Sequence, residues 1–247
     1  MNERSDDELM ETNRAFYDPL WSDSKLIGPE RFNTWPLIRQ WAEQSPRRLE
    51  VGPGLRPRLP IEGTHFADIS QPALETLAKA GGRVCSTSIG HLPYAEDSFD
   101  LICALDILEH VEKDDLAVSE LSRVATPGAT VLLSVPLHPE CWTPFDGFVG
   151  HYRRYEPEQL VALLNDHGLI VEQSTVFGMK PKSSRLVDFF MWFLINRRKR
   201  ALWWYNNVFM PLGLRFQKRL SLFAGMVNTD GVDDIFLVCR RSDKSTD

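Results

Sequence analysis

The sequence predicts an α/β layered fold on a mostly parallel sheet, and three observations carry that expectation. Short apolar runs (LEV at 49–51, HFADI at 65–69, TVLLSV at 130–135, IFLVC at 235–239) alternate with stretches of helical periodicity. The run FDLICAL at 99–105 is nearly continuous in apolar character, the pattern of a parallel strand covered on both faces. The 247 residues are 43% hydrophobic and 25% charged, an ordinary globular balance that suits one domain with an elaboration.

Taken in order, residues 1 to about 16 are polar and acidic, lack a signal-peptide pattern, and are helical at most. Phe16, Tyr17, Leu20 and Trp21, then Phe32, Asn33 and Trp35, bring aromatic bulk ahead of the first strand. They form either a lid over a ligand or a helix packed on the sheet edge. Leu37 to Ala42 continues as a short helix, ended by Ser45 and Pro46. Leu49 and Val51 close the first strand with Glu50 between them, and Gly52-Pro53-Gly54 makes a turn. Pro57 and Pro60 limit any following helix to about one turn.

His65 to Ile69 is the second strand. Ser70 caps a helix with Pro72 in its first turn, running from Ala73 to Ala80 and stopped by Gly81-Gly82. Arg83 to Ser86 is strand three, and a loop from Ser88 to Asp97 leads to strand four at Phe99 to Leu105. Leu116, Val118, Leu121 and Val124 stand at helical spacing after Asp114, with Pro127-Gly128 as the stop. Thr130 to Val135 is strand five, and a loop rich in Pro, Trp and His runs from Pro136 to Tyr155. Pro157 opens a helix through Leu160, Leu163 and Leu164. Leu169 to Val176 is strand six and Ile235 to Cys239 the last.

Composition excludes several classes. The net charge of −6 argues against a surface built for nucleic acid. No run reaches the ~20 apolar residues of a membrane-spanning helix. Cys85, Cys103, Cys141 and Cys239 lie far apart without zinc spacing, so they are expected to be reduced core thiols of a cytoplasmic protein, and no metal is expected. The charge is segregated: residues 151–220 hold 12 Lys+Arg against 5 Asp+Glu, while the rest holds 16 against 29.

A strand feeding a Gly-rich turn, with Asp68 ending the next strand, is a layout for a nucleoside. The turn lets backbone N–H groups approach, and a carboxylate there can take ribose hydroxyls. With this, the chain resembles the class I S-adenosylmethionine-dependent methyltransferases, in the branch of small-molecule and ubiquinone-pathway enzymes. The matching segments are LEVGPG (49–54), FADIS (66–70), LPYAEDSFDLICALDILEHV (92–111), LSRVATPGATVLLSVP (121–136) and RRYEPEQLVALLNDHGL (153–169). The resemblance implies a Rossmann-like, seven-stranded, mostly parallel sheet with helices on both faces, an antiparallel last strand, and S-adenosylmethionine at the carboxyl ends of the strands.

By position, the resemblance places Gly52, Pro53 and Gly54 at the cofactor's amino-acid part, with Glu50 anchoring its ammonium. Asp68 takes the ribose hydroxyls, Ile69 packs on the adenine beside Ser70, and Ser88 and Ile89 read the adenine edge. Leu105, Asp106 and His110 face the methyl donor, with Tyr17 over them from the lid. Two departures stand out: Ser88 occupies a position usually held by Asp, and the helix after the Gly turn is nearly absent. Both predict weaker cofactor contacts.

Methyl transfer from a sulfonium needs a base only when the acceptor loses a proton. His110, His138 and His151 are the candidates, with His110 and His151 favoured as catalytic. His151, Tyr152, Arg153 and Arg154 are expected to bind the acceptor, with the arginines available to an anionic group unless they pair locally. Residues 178–228 interrupt strands six and seven with RLVDFFMWFLI (185–195), RRKR (197–200), ALWWYNNVFMPLGL (201–214) and RFQKRL (215–220). Greasy segments bracketed by basic clusters fit a substrate-covering helical cap, a contact with an anionic membrane surface through 185–220, or a dimer interface.

The expected organisation is therefore a lid at 1–44, a core at 45–177 plus 229–242, and an inserted helical cap at 178–228. The expected activity is methyl transfer to a small or lipid-like, anionic acceptor rather than nucleic acid, in the cytoplasm or at the membrane periphery. A non-catalytic S-adenosylmethionine-binding regulator is the alternative. A nicotinamide dehydrogenase is disfavoured, because Pro57 falls where close helix packing requires a third glycine.

Overall fold

The structure is a computed structural model that describes residues 17–22, 24–179 and 191–243. Residues 1–16, including Phe16 of the expected lid, and 180–190, with most of the first apolar segment of the insertion, lie outside the described residues.

Eight strands form one sheet: β1 Arg48–Val51, β2 Thr64–Asp68, β3 Arg83–Ser86, β4 Phe99–Leu105, β5 Ala125–Pro136, β6 Leu169–Met179, β7 Phe223–Ala224 and β8 Val232–Arg241. Their order is β3-β2-β1-β4-β5-β8-β6-β7. Strands β1 to β5 pair in parallel, and β8 lies antiparallel between β5 and β6. Seven of these strands match the expectation. The eighth, β7, is a two-residue pairing with Gln173 and Ser174 contributed by a stretch expected to be helical.

Period-two alternation along the central strands builds a core on each face. Ile102, Ala104, Val131, Leu133, Ile235 and Leu237 pack on one side against helices α3 (Asp114–Val124) and α5 (Pro157–Asp166). Leu101, Cys103, Leu132, Phe236 and Val238 face the other side, where Ile38 and Ala42 of α1 (Trp35–Gln44) cover them with Leu59. Helix α2 (Gln71–Lys79) follows β2. Strand β5 starts at Ala125, directly after α3, so Pro127-Gly128 sits inside a bulged strand start instead of a separate loop.

The connection from β1 to β2 contains no helix. Glu50 organises it: its carboxylate oxygens accept the backbone N–H groups of Arg58 (2.8 Å) and Leu59 (3.0 Å). That seats Leu59 in the core, on the face that α1 covers.

After residues 191–196, α6 (Arg198–Trp204), a π turn (Tyr205–Phe209) and α7 (Met210–Arg215) follow without a break as a rod about 27 Å long. It is tied to the segment before α1. Gln217 Oε1 accepts the Asn33 N–H at 2.7 Å, Gln217 Nε2 donates to the Arg31 carbonyl, and Asn33 Nδ2 donates to the Lys218 carbonyl. Leu20, Trp21, Leu55, Ala73, Val149 and Leu202 form a small shared core.

Candidate functional site

A cavity of about 460 Å³ opens at the carboxyl ends of β1, β2 and β4. Its floor is the Gly52-Pro53-Gly54 turn. Asp68 and Ile69 form one wall with Ser88, Ile89 and Gly90, and Leu105, Asp106, Ile107 and His110 form the other; Glu50, Tyr17, Trp21, Arg56, Arg58 and Tyr152 are also among the lining residues. Gly52 and Gly54 both have positive φ, at +66° and +52°. A Cβ on Gly54 would lie 2.2 Å from a Trp21 ring carbon, and one on Gly52 would lie 2.1 Å from Ile107 Cδ1. The turn therefore needs glycine for its backbone and for its close neighbours alike.

Asp68 closes the nucleoside-type layout from within. Its carboxylate accepts the Gly54 N–H at 2.9 Å and the Ser70 N–H at 2.8 Å, which joins the ends of two strands. Burial raises its pKa against those bonds. Burial also pushes Glu50 up to about 7, opposed by its bonds to the Arg58 and Leu59 backbone. Arg58 stacks its guanidinium 3.8 Å above the Phe32 ring.

The far end of the cavity is a polar cluster. Asp106 holds a positive φ of 55° and accepts a 2.6 Å hydrogen bond from Ser134 Oγ. The Tyr17 hydroxyl lies 3.3 Å from His110 Nε2, and the two rings meet edge to face. The His110 and His151 ring centroids are 4.5 Å apart. Burial, then the neighbouring His151, holds the His110 pKa down at about 3, so the ring is neutral. His151 Nδ1 sits 3.0 Å from Asp146 Oδ1. Asp146 lies in α4 (Pro144–Val149), whose capping box with Thr143 fixes it. Burial works to raise the Asp146 carboxyl, but hydrogen bonds from His151, Thr143 and Arg154 hold it well below the usual range.

Residues 60–133 match the methyltransferase domain family. The chain matches that family over about 30% of its length, from the β1–β2 connection into β5. It is 30% identical over 114 residues to a tRNA (carboxymethyluridine(34)-5-O)-methyltransferase from Arabidopsis thaliana, a match covering 42% of this chain and 28% of that protein. Thus the chain spans less than a third of the length of that curated relative. Its fold is similar to an S-adenosylmethionine-dependent methyltransferase from Mesorhizobium loti (TM-score 0.53, 15% identity, 87% of this chain and 100% of that one). It is also similar to a Haemonchus contortus phosphoethanolamine N-methyltransferase in complex with phosphomonomethylethanolamine and S-adenosylhomocysteine (TM-score 0.57, 15% identity, 98% and 61%).

Within this fold, the cavity gathers Tyr17, Glu50, Gly52, Pro53, Gly54, Asp68, Ile69, Ser88, Ile89, Leu105, Asp106, His110 and Tyr152. Ser70 is buried behind it, with its N–H on Asp68 and its hydroxyl on Asp18. His151 stands one ring behind His110, outside the lining. His138 is turned away, with Nε2 2.8 Å from the Thr229 carbonyl.

The arginine pair departs from the acceptor-binding expectation. Arg154 is buried, its guanidinium shared between Asp146 and Asp233. Arg153 pairs with Asp114 at 2.8 Å. Both pin the loop before α5, and neither lines the cavity. As site residues, sequence reasoning passed over Arg56, Arg58, Glu109 and Asp146, and it named Trp21 only among the aromatics of the expected lid. Only Glu109, adjacent to His110 in the LEHV segment, had a signal that singled it out.

Proposed function

We propose that the chain transfers the methyl group of S-adenosylmethionine to a small, lipid-like acceptor that enters the cavity beneath the helices of residues 191–215. One observation carries the reading: a single cavity joins the Gly52–Gly54 turn and Asp68 to the Tyr17–His110 pair. In this reading Asp68 takes the ribose hydroxyls, Ile69 and Ile89 hold the adenine, and Glu50 faces the methionine ammonium across the turn. The acceptor lies against Tyr17, Asp106, His110 and Tyr152. Its lone pair attacks the methyl carbon, the carbon–sulfur bond breaks to leave a neutral thioether, and an acceptor that carried a proton releases it. His110 and His151 stand on that side.

The segment before α1 acts as the lid and residues 191–222 as the cap. Arg56, on the turn itself, lies 5.0 Å from the ring centroids of both Trp21 and Tyr205, so it clasps lid and cap over the mouth. The acceptor's recognition does not rest on Arg153 and Arg154, whose charges are spent on aspartates. The acidic balance of the chain favours a small acceptor over tRNA, the substrate named for one relative.

Calorimetric titration with S-adenosylmethionine and S-adenosylhomocysteine tests the cofactor half. Micromolar binding should weaken at least tenfold in Asp68→Asn. Transfer of a labelled methyl group tests the other half: label should enter organic-extractable material, and label entering tRNA instead would overturn the acceptor class.

A further inference from the structure

We propose that Glu109, His110 and His151 form a binding site for a divalent transition-metal ion, of the two-imidazole, one-carboxylate kind. One ligand atom from each lies within 4.8 Å of the other two. Glu109 is 1% exposed, and its Oε2 has no hydrogen-bond partner among the described residues. A buried carboxylate oxygen without a donor is costly, about 1–3 kcal/mol or more when charged. Three further carboxylates, those of Asp106, Asp146 and Asp234, lie near enough to act on it. Arg154, the buried cation beside Asp146, already serves Asp146 and Asp233, and Arg58 acts on Asp106 and Glu50. The cluster is short of positive charge, and a metal ion supplies it.

The outer contacts point the same way. Metal-bound histidines almost always give their other ring N–H to a carboxylate or a carbonyl. His151 has Asp146 at 3.0 Å in that role, and Asp146 is itself held by Thr143 and Arg154. His110 is hydrogen-bonded to the Gly150 carbonyl. Both rings are thus oriented from behind, by α4 and the glycine that ends it. Imidazole and carboxylate together suit Zn²⁺ and its first-row neighbours. Three protein ligands leave a position open, and His110 and the Tyr17 hydroxyl place it at the acceptor end of the cavity. When the site is filled, the imidazoles act through the metal and not as proton acceptors. The site stands on side-chain geometry and does not depend on the identity of the methyl acceptor.

The test uses the full chain stripped with a chelator, then titrated with Co²⁺ and followed by its visible d–d absorption, with Zn²⁺ as competitor. One equivalent should bind, without the thiolate charge-transfer band a cysteine ligand would give. Affinity should fall at least tenfold in His151→Ala and Glu109→Gln, and about 10–100-fold in Asp146→Asn, which touches only the orienting shell. His167→Ala, at the surface His167–Asp115 pair, should leave it unchanged. Thermal melts give a second readout: Zn²⁺ should raise Tm in the parent and not in His151→Ala. Substoichiometric Co²⁺ in the parent, a thiolate band, or equal affinity in parent and variants would each overturn the site. S-adenosylmethionine calorimetry on the stripped protein keeps this result separate from that of the cofactor.

Discussion

Glu50 shows how one side chain serves fold and site together. It anchors the β1–β2 connection through two backbone N–H groups and faces the cavity. Its carboxyl rises from the usual 4.5 to about 7, chiefly through burial. The folded state therefore holds this proton more tightly than the unfolded chain does, and stability must fall as pH rises from about 4.5 to 7. Asp234, raised from 3.8 to about 7 by burial and then by Asp106, acts in the same direction. Glu50→Gln should flatten the slope of unfolding free energy by up to about 1.4 kcal/mol per pH unit, read by urea denaturation at successive pH values. Cofactor affinity should run the other way, rising through that window as Glu50 ionises to meet an ammonium, and calorimetry in the same buffers would detect it. Arg154 makes the opposite point about legibility. A basic pair between aromatics reads as an anion site in the sequence, yet the partners Asp146 and Asp233 come from a loop helix and the last strand. No local pattern shows them. Arg154→Ala leaves two carboxylates uncompensated and should cost about 3–5 kcal/mol in chemical denaturation.

At the scale of elements, most of the sheet was legible because its strands are apolar runs with punctuated ends. The Gly turn and Asp68 were legible because their spacing is local. The lid and the cap were expected separately, but their joining was not legible, since Trp21, Arg56 and Tyr205 meet from residues far apart in the chain. The missing helix after β1 was visible from Pro57 and Pro60, but its replacement by Leu59 and α1 required the structure. Leu59 is fully buried between α1 and the sheet, so Leu59→Ala should cost about 2–5 kcal/mol of stability. Arg56→Ala tests the clasp. Two cation–π contacts near the surface contribute only about 0.5–1 kcal/mol each, so global stability should barely change. Amide hydrogen exchange should instead rise together in residues 17–22 and 198–209. Faster exchange in one segment alone would mean that lid and cap are held independently.

Across the whole molecule, charge and exposure separate in one direction. Residues 191–229 carry seven Lys+Arg and no Asp or Glu, on a chain whose net charge is −6. The same stretch displays Trp192, Ile195, Trp203, Trp204, Tyr205, Phe209, Leu212 and Phe216, with Phe216 at 73% exposure. Tyr205, Phe209, Leu212 and Phe216 recur at helical spacing along the rod, while Ala201 and Leu202 face the protein. No helix among the described residues is long and apolar enough to cross a bilayer. An apolar stripe edged by cations, on a surface otherwise acidic, complements the face of an anionic bilayer. It would bring the cavity mouth to the lipid, since Tyr205 bonds Arg56 there at 3.0 Å. Each basic residue near such a surface contributes about 1 kcal/mol, screened within a Debye length. Co-sedimentation should therefore be strong with phosphatidylglycerol vesicles, weak with phosphatidylcholine alone, and should fall steeply as salt rises. Replacing Trp203 and Phe216 together by Ser should remove the binding that survives high salt, with S-adenosylmethionine affinity unchanged because neither residue lines the cavity. Equal binding to both vesicle types would end the membrane reading. A dimer in solution that the same double variant dissolves would assign the face to a second copy of the chain.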